Sequence, residues 1–173
     1  SPSAGAYITN TTPTIEFQVK DTDSGVNAGT IVVTVDGTAV STVTKTAIDG
    51  GYKCTCTSPT LKDGSHTISV KASDNDGNAA AAKTATFTVD TVPPTLQITA
   101  PSNDLITNKK TVTVSGKTDD VSSKPVTVTV NGTTVTVGTD GTFTKDVTLV
   151  EGANTITIVA KDKAGKTTTV TRK

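Results

Sequence analysis

Two short acidic stretches hold the residues best suited to chemistry, Asp21-Thr22-Asp23-Ser24-Gly25 and Asp74-Asn75-Asp76-Gly77-Asn78. Carboxylates at alternate positions, with an amide beside them, are the hard oxygen donors that calcium takes in sets of about six to eight. Asp21, Asp23, Asp74 and Asp76 are therefore the candidate metal ligands, with calcium as the candidate ion. Neither stretch is an EF-hand, because Gly25 and Gly77 fall at the wrong offsets. The same residue types build tight turns with no ion present, so both readings stand at this point.

Other reactive side chains are few. Cys54 and Cys56 are the only cysteines. Two residues apart on a strand, their Cα atoms are about 6.5–7 Å apart, at or beyond the reach of a disulfide. They read as buried thiols beside Tyr52, with an intermolecular bridge or a redox pair as alternatives. With no third ligand nearby they make no zinc site. His66 is the only histidine and reads as a turn residue. One imidazole without a neighbouring nucleophile or acid gives no catalytic constellation. No catalytic residue and no cofactor is expected.

The elements that would position these groups come twice. Val33-Thr34-Val35-Asp36-Gly37 returns as Val128-Thr129-Val130-Asn131-Gly132. Asp49-Gly50-Gly51-Tyr52 returns as Asp140-Gly141-Thr142-Phe143. Asp63-Gly64-Ser65-His66-Thr67-Ile68 returns as Glu151-Gly152-Ala153-Asn154-Thr155-Ile156. A repeat this long is a whole small domain, not one turn of a solenoid. The expected division is 1–92 and 93–173, with a joint around 90–95. The joint, Asp90-Thr91-Val92-Pro93-Pro94-Thr95, has two prolines and no glycine, which makes a semi-rigid connection.

Within each copy apolar and polar residues alternate, the period of a half-buried strand. Ile15, Phe17 and Val19 share a face, as do Ile68, Val70 and Ala72, or Ile156, Ile158 and Ala160. Threonine and valine dominate, and their branched Cβ suits a pleated sheet. Met and Trp are absent, so the cores must be aliphatic. Short strands between turn signals, with no helical period, give an all-β fold.

Formal charge is zero over 173 residues, with 16 basic and 16 acidic groups. Residues 1–92 carry six Lys against nine Asp/Glu, net −3; residues 93–173 carry ten Lys/Arg against seven, net +3. No basic cluster interleaved with aromatics exists, so nucleic acid is excluded as a partner. No apolar run can span a bilayer, so direct membrane insertion is not expected. With no initiator Met, the chain reads as a piece of a longer protein.

The strand, Val-Asp/Asn-Gly, Asp-Gly-aromatic, Asp/Glu-Gly-x-x-Thr-Ile and Ala-x-Asp order resembles bacterial immunoglobulin-like (Big) domains. The last element is Ala72-Ser73-Asp74 in one copy and Ala160-Lys161-Asp162 in the other. The second copy is similar to the type that accompanies glucodextranase-like enzymes. The resemblance implies two tandem immunoglobulin-like β-sandwiches of about seven strands each, arranged end to end. It also implies that the two acidic loops of the first copy share one end of their sandwich. The matching loops of the second copy hold Asp119, Asp120 and Asp162 among Lys117, Lys161 and Lys163, near Asp90; charge pairing is the expectation there. Antibody-type Cys and Trp positions are missing.

Function follows from that likeness. The leading expectation is a non-catalytic spacer repeat of a bacterial cell-surface or secreted, extracellular protein, supporting cell adhesion. The alternative is an accessory module of a secreted polysaccharide-degrading enzyme, binding protein or carbohydrate. Expected partners are neighbouring repeats of the same chain and a host or cell-wall protein or glycan. Sugar binding by stacking needs exposed rings, and only Tyr7 is left for that role once the other aromatics are assigned to cores.

Overall fold

The computed structural model describes all of residues 1–173, and they divide into two units, Ser1–Thr91 and Val92–Lys173. Every regular element is a strand, as the alternating, β-branched sequence dictates.

The first unit contains β1 (Tyr7–Ile8), β2 (Thr14–Lys20), β3 (Val26–Val35), β4 (Thr38–Ala39), β5 (Thr44–Ile48), β6 (Gly51–Thr57), β7 (Gly64–Asp74) and β8 (Lys83–Val89). One sheet runs β1-β8-β7-β3-β4 and the other β2-β6-β5. All pairings are antiparallel except β1 with β8, which is parallel. Alternation puts Ile15, Val33, Val35, Ile68, Phe87 and Val89 into one apolar cluster. Val26, Ile31, Cys54 and Ala72 form a second cluster beneath the acidic loops. Each such side chain removed from water contributes about 1.5–3 kcal/mol before conformational entropy is charged against it.

The second unit contains β9 (Thr95–Ala100), β10 (Thr111–Asp119), β11 (Thr127–Val130), β12 (Thr133–Val135), β13 (Thr142–Thr148), β14 (Ile156–Lys161) and β15 (Thr167–Arg172). Its sheets run β12-β11-β14-β15 and β13-β10-β9. Val114, Val128, Val130, Phe143, Ile156, Ile158 and Ala160 make its core.

The strand-to-strand turns explain the repeated Asp/Asn-Gly pairs. Asp36 and Gly37 take φ of 51° and 81°, and Asn131 and Gly132 take 48° and 78°. Positive φ at both central residues matches the twist of a tight hairpin, and Asn, Asp and Gly tolerate it best. Each turn side chain also caps the neighbouring strand: Asp36 Oδ1 accepts from Thr67 N and Asn131 Oδ1 from Thr157 N, both at 2.8 Å.

Candidate functional site

The two acidic loops of the first unit do meet. Asn75 N donates to Gly25 O at 2.9 Å, and Asn75 Nδ2 donates to Ser24 O at 2.9 Å. Asp21 is turned to its own loop, and Asp74 is held mainly by its own, with the Ser24 side chain of the other loop also among its partners. Asp21 Oδ2 accepts from Gly25 N at 2.7 Å and from Asp23 N at 3.3 Å. Asp74 Oδ1 accepts from Asn78 N at 2.7 Å and Oδ2 from Asn78 Nδ2 at 2.8 Å. Those Asn78 bonds lead the contacts that hold the Asp74 carboxyl below the usual carboxylate range. Asp23 and Asp76 are exposed. Asp21, Asp23, Asp74 and Asp76 do not form a group of three ligand oxygens close enough to share an ion.

A closer pair of acids lies elsewhere. Asp120 and Asp162, both buried, each bring a carboxylate oxygen to within 4.8 Å of the other. Asp120 and Asp162 belong to the second unit. Both take the next inward step after a strand. Val114, Gly116 and Thr118 lead inward to Asp120, and Ile156, Ile158 and Ala160 lead to Asp162. Asp120 Oδ1 accepts from Ser122 N at 2.9 Å and Ser123 N at 2.7 Å. Asp162 Oδ1 accepts from Lys166 N at 2.8 Å. Asp162 Oδ2 has no hydrogen-bond partner although its residue is only 5% exposed. Ser123 Oγ, accepting from Ala164 N at 3.1 Å, ties the two loops together.

Charge pairing was the expectation for these loops, and it is found one residue earlier than that pair. Asp119 pairs with Lys124 at 2.7 Å, and that lysine is the main cause of its lowered pKa. Asp120 and Asp162 are instead buried among backbone donors. The signal that separates them from Asp119 is the strand period, which carries Asp120 and Asp162 inward and Asp119 outward. Burial of that kind is legible from alternation only once the strand ends are known.

His66 is more than a turn residue. It is 9% exposed, with Nδ1 on Asp36 Oδ2 at 2.7 Å and Nε2 on Lys62 O at 2.8 Å. A carboxylate and a carbonyl both accept, so both ring nitrogens must donate, which describes an imidazolium. Burial works against that charge, but the Asp36 hydrogen bond and the Lys62 carbonyl outweigh it and raise the His66 pKa. Burial likewise opposes the Asp36 charge, and the His66 and Thr67 hydrogen bonds overcome it to lower the Asp36 pKa. The ring packs on Phe87 at a centroid distance of 5.7 Å. With both nitrogens engaged, no base is left to activate a nucleophile.

Cys54 and Cys56 are unbridged and buried, pointing the same way on β6. Burial is the main cause that pushes both thiols up. They remain protonated and poor as nucleophiles or metal ligands at neutral pH.

Comparison with known proteins places these two units. The family model "Bacterial Ig-like domain" matches residues 2–91, and "Glucodextranase, domain B" matches residues 94–173. Bacillopeptidase F of Bacillus subtilis is 34% identical over 141 residues, which is 82% of this chain and 9% of that protein. The chain thus spans a small part of the relative it matches. Among solved structures, fibronectin(III)-like modules of Clostridium thermocellum CbhA align at a TM-score of 0.55 and 19% identity, covering 99% of this chain and 88% of theirs. A three-domain immunoglobulin segment of titin aligns at 0.56 and 13%, covering 98% of this chain and 61% of that one. At such identities the structural likeness speaks for the fold alone. The fold is all-β and immunoglobulin-like, and the chain belongs to the bacterial Ig-like domain family.

Proposed function

We propose that the chain serves as a non-catalytic pair of spacer repeats in a bacterial cell-surface or secreted protein, supporting a neighbouring binding or catalytic domain and thereby adhesion. The observation that carries this reading is the state of the reactive groups. The one imidazole has both nitrogens engaged, and both thiols are buried and protonated. The imidazole and the thiols, the groups best suited to nucleophilic catalysis, are thus not paired with one another for it. The peptidase relative supports the same reading, because only 9% of its length matches here. Both units close on aliphatic cores of their own.

A second reading draws on the match of residues 94–173 to a domain of a glucodextranase. Under it the second unit is an accessory carbohydrate-binding module. One cleft of that unit, about 840 Å³, is lined by Leu105, Ile106, Leu149, Val150 and charged neighbours without one aromatic ring. Sugars bind mainly by stacking on rings, so the first reading is preferred. Presenting the chain to a glycan array and to a panel of host-matrix proteins separates the two. The spacer reading expects no saturable binding on either surface. A saturable glycan signal lost on changing Leu105 or Ile106 would establish the accessory module instead.

A further inference from the structure

We propose that the cleft of the second unit receives the acidic loops of the first unit of another copy of this chain, so that copies associate head to tail. The inference does not rest on the spacer reading. The cleft is formed within the second unit alone, by the loops 101–110 and 149–155 and the end of β15. β10 pairs its last residue, Asp119, with Thr95, where the chain enters the unit, so these loops occupy the opposite end. The acidic loops likewise belong to the first unit alone. β7 pairs its first residue, Gly64, with Val89, where the chain leaves the unit, and Asp74 closes the other end of that strand.

The cleft is apolar within and basic at its rim. Three of the six large hydrophobic side chains that the chain exposes gather there: Leu105, Ile106 and Val150, at 43%, 96% and 70% exposure. Single exposed apolar side chains are ordinary, but several on one concave surface mark a contact. Lys109 and Lys110 line the same cleft and enter no ion pair. Arg172 and Lys173 stand with them, and only Asp104 and Glu151 oppose their charge.

The acidic loops of the first unit are the complement in both respects. Asp23 and Asp76 are exposed and enter no ion pair. The Asp76 loop runs directly into Ala79-Ala80-Ala81-Ala82, and all four alanines are exposed, so a small apolar segment follows the acids. The Asn75 bonds to Ser24 and Gly25 hold the two loops as one surface. The same polarity extends over the whole units. Residues 1–92 carry six Lys against nine Asp/Glu, net −3, and residues 93–173 carry ten Lys/Arg against seven, net +3. Exposed ion pairs contribute little by themselves. Burial of Ile106 and its neighbours against the alanines supplies the affinity, and the charges select loops on cleft over like on like. The chain therefore carries its own complement to the cleft, which is why the occupant is a second copy.

The test is sedimentation equilibrium of the whole chain at low ionic strength, where exposed charges are least screened. The average mass should rise with concentration. Reversing the cleft rim, Lys109→Glu with Lys110→Glu, should weaken self-association at least about tenfold, and so should Asp23→Lys with Asp76→Lys on the loops. All four side chains are exposed, and an unchanged melting temperature checks that each variant folds. Lys62→Glu with Lys71→Glu shifts the net charge as far as the rim variant does and should leave association unchanged. Combining the rim and loop reversals in one chain should restore it, because each loop pair again meets a cleft of opposite sign. Ile106→Ser should weaken association with every charge in place. A monomer at all concentrations would overturn the proposal, as would association that survives the rim reversal or is lost equally with Lys62→Glu and Lys71→Glu. Saturable binding of poly-glutamate by a chain that stays monomeric would give the cleft to a foreign acidic partner and overturn it too.

Discussion

The first unit and the second carry the same pair of loops on the same pair of strands, yet they use their acids in opposite ways. In the first, Asp23 and Asp76 are exposed and Asp21 and Asp74 cap their own loops. In the second, Asp120 and Asp162 are buried and share a small space. The backbone is not what changed, because the Asp74 and Asp162 turns match bond for bond. The change lies in which neighbours supply donors, Asn78 first and Ser24 beside it for Asp74, and none for Asp162 Oδ2. A scaffold can thus be copied intact while its electrostatics are rewritten by a few side chains.

The largest effect that would sharpen this comparison lies beneath the loops, at the glycine of Asp-Gly. Gly50 O accepts from Asp21 N and Gly141 O from Thr118 N, both at 2.9 Å, so each glycine supports its acidic loop. Both have positive φ, 73° and 83°. A Cβ on Gly50 would find its nearest atom, Asp21 O, at 3.5 Å; on Gly141 it would collide with Thr118 O. Gly50→Ala should cost about 1 kcal/mol, the penalty of a left-handed conformation alone. Gly141→Ala should cost about 3 kcal/mol, since the clash adds to it. Equal losses in urea titrations of the two variants would mean that the loops are supported alike and the comparison fails.

A smaller effect tests a second divergence, at the opposite hairpin. His66 and Asp36 pair in the first unit. At the matching place Asn154 bonds only to its own loop, at Val150 and Gly152. His66→Asn should cost about 1.5 kcal/mol near pH 5, at the low end for a charged hydrogen bond because Asp36 is half exposed. The His66 pKa is raised on folding, so its contribution is complete below the unfolded value of about 6.5 and fades as pH rises through the folded value. The Asp36 pKa is lowered, so its contribution stands above about 3.8 and fades as pH falls through the folded value. The stability gap between His66→Asn and the unmodified chain should therefore shrink from pH 5 to pH 9. A gap that stays constant would show that ring packing on Phe87, not charge, holds His66.

Much of the architecture was legible in the sequence because it depends on short-range rules. The alternation at Ile156, Ile158 and Ala160 gave a strand, and Asn131-Gly132 gave a hairpin. The meeting of the two acidic loops also followed, through the family likeness. The acids themselves were harder. Asp21, Asp23, Asp74 and Asp76 look like a donor set by composition, yet their loop hydrogen bonds depend on backbone direction that composition does not contain. Asp120 and Asp162 sit beside lysines in the chain, which suggested pairing. The strand period carries Asp162 inward and Lys161 outward, so adjacency in sequence became separation in space. His66 was misread for the same reason, since its partner Asp36 lies thirty residues away.

The smallest effect addresses the donor itself, and it bears most directly on why the units differ. Asn78 Nδ2 is the amide donor on Asp74 Oδ2 that Asp162 Oδ2 lacks. Asn78→Ala removes that amide while the backbone cap to Oδ1 survives. Because Asp74 can turn to water, the loss should be about 0.5 kcal/mol. Lys166→Asn performs the reverse change and offers Asp162 Oδ2 a donor. It should stabilise the second unit by about 1 kcal/mol, since the oxygen it satisfies is buried and water cannot reach it. Denaturant titrations of the two variants give both numbers. If Lys166→Asn leaves the stability unchanged, the missing amide is not what distinguishes the two turns. The divergence would then have to lie in the neighbouring carboxylate of Asp120.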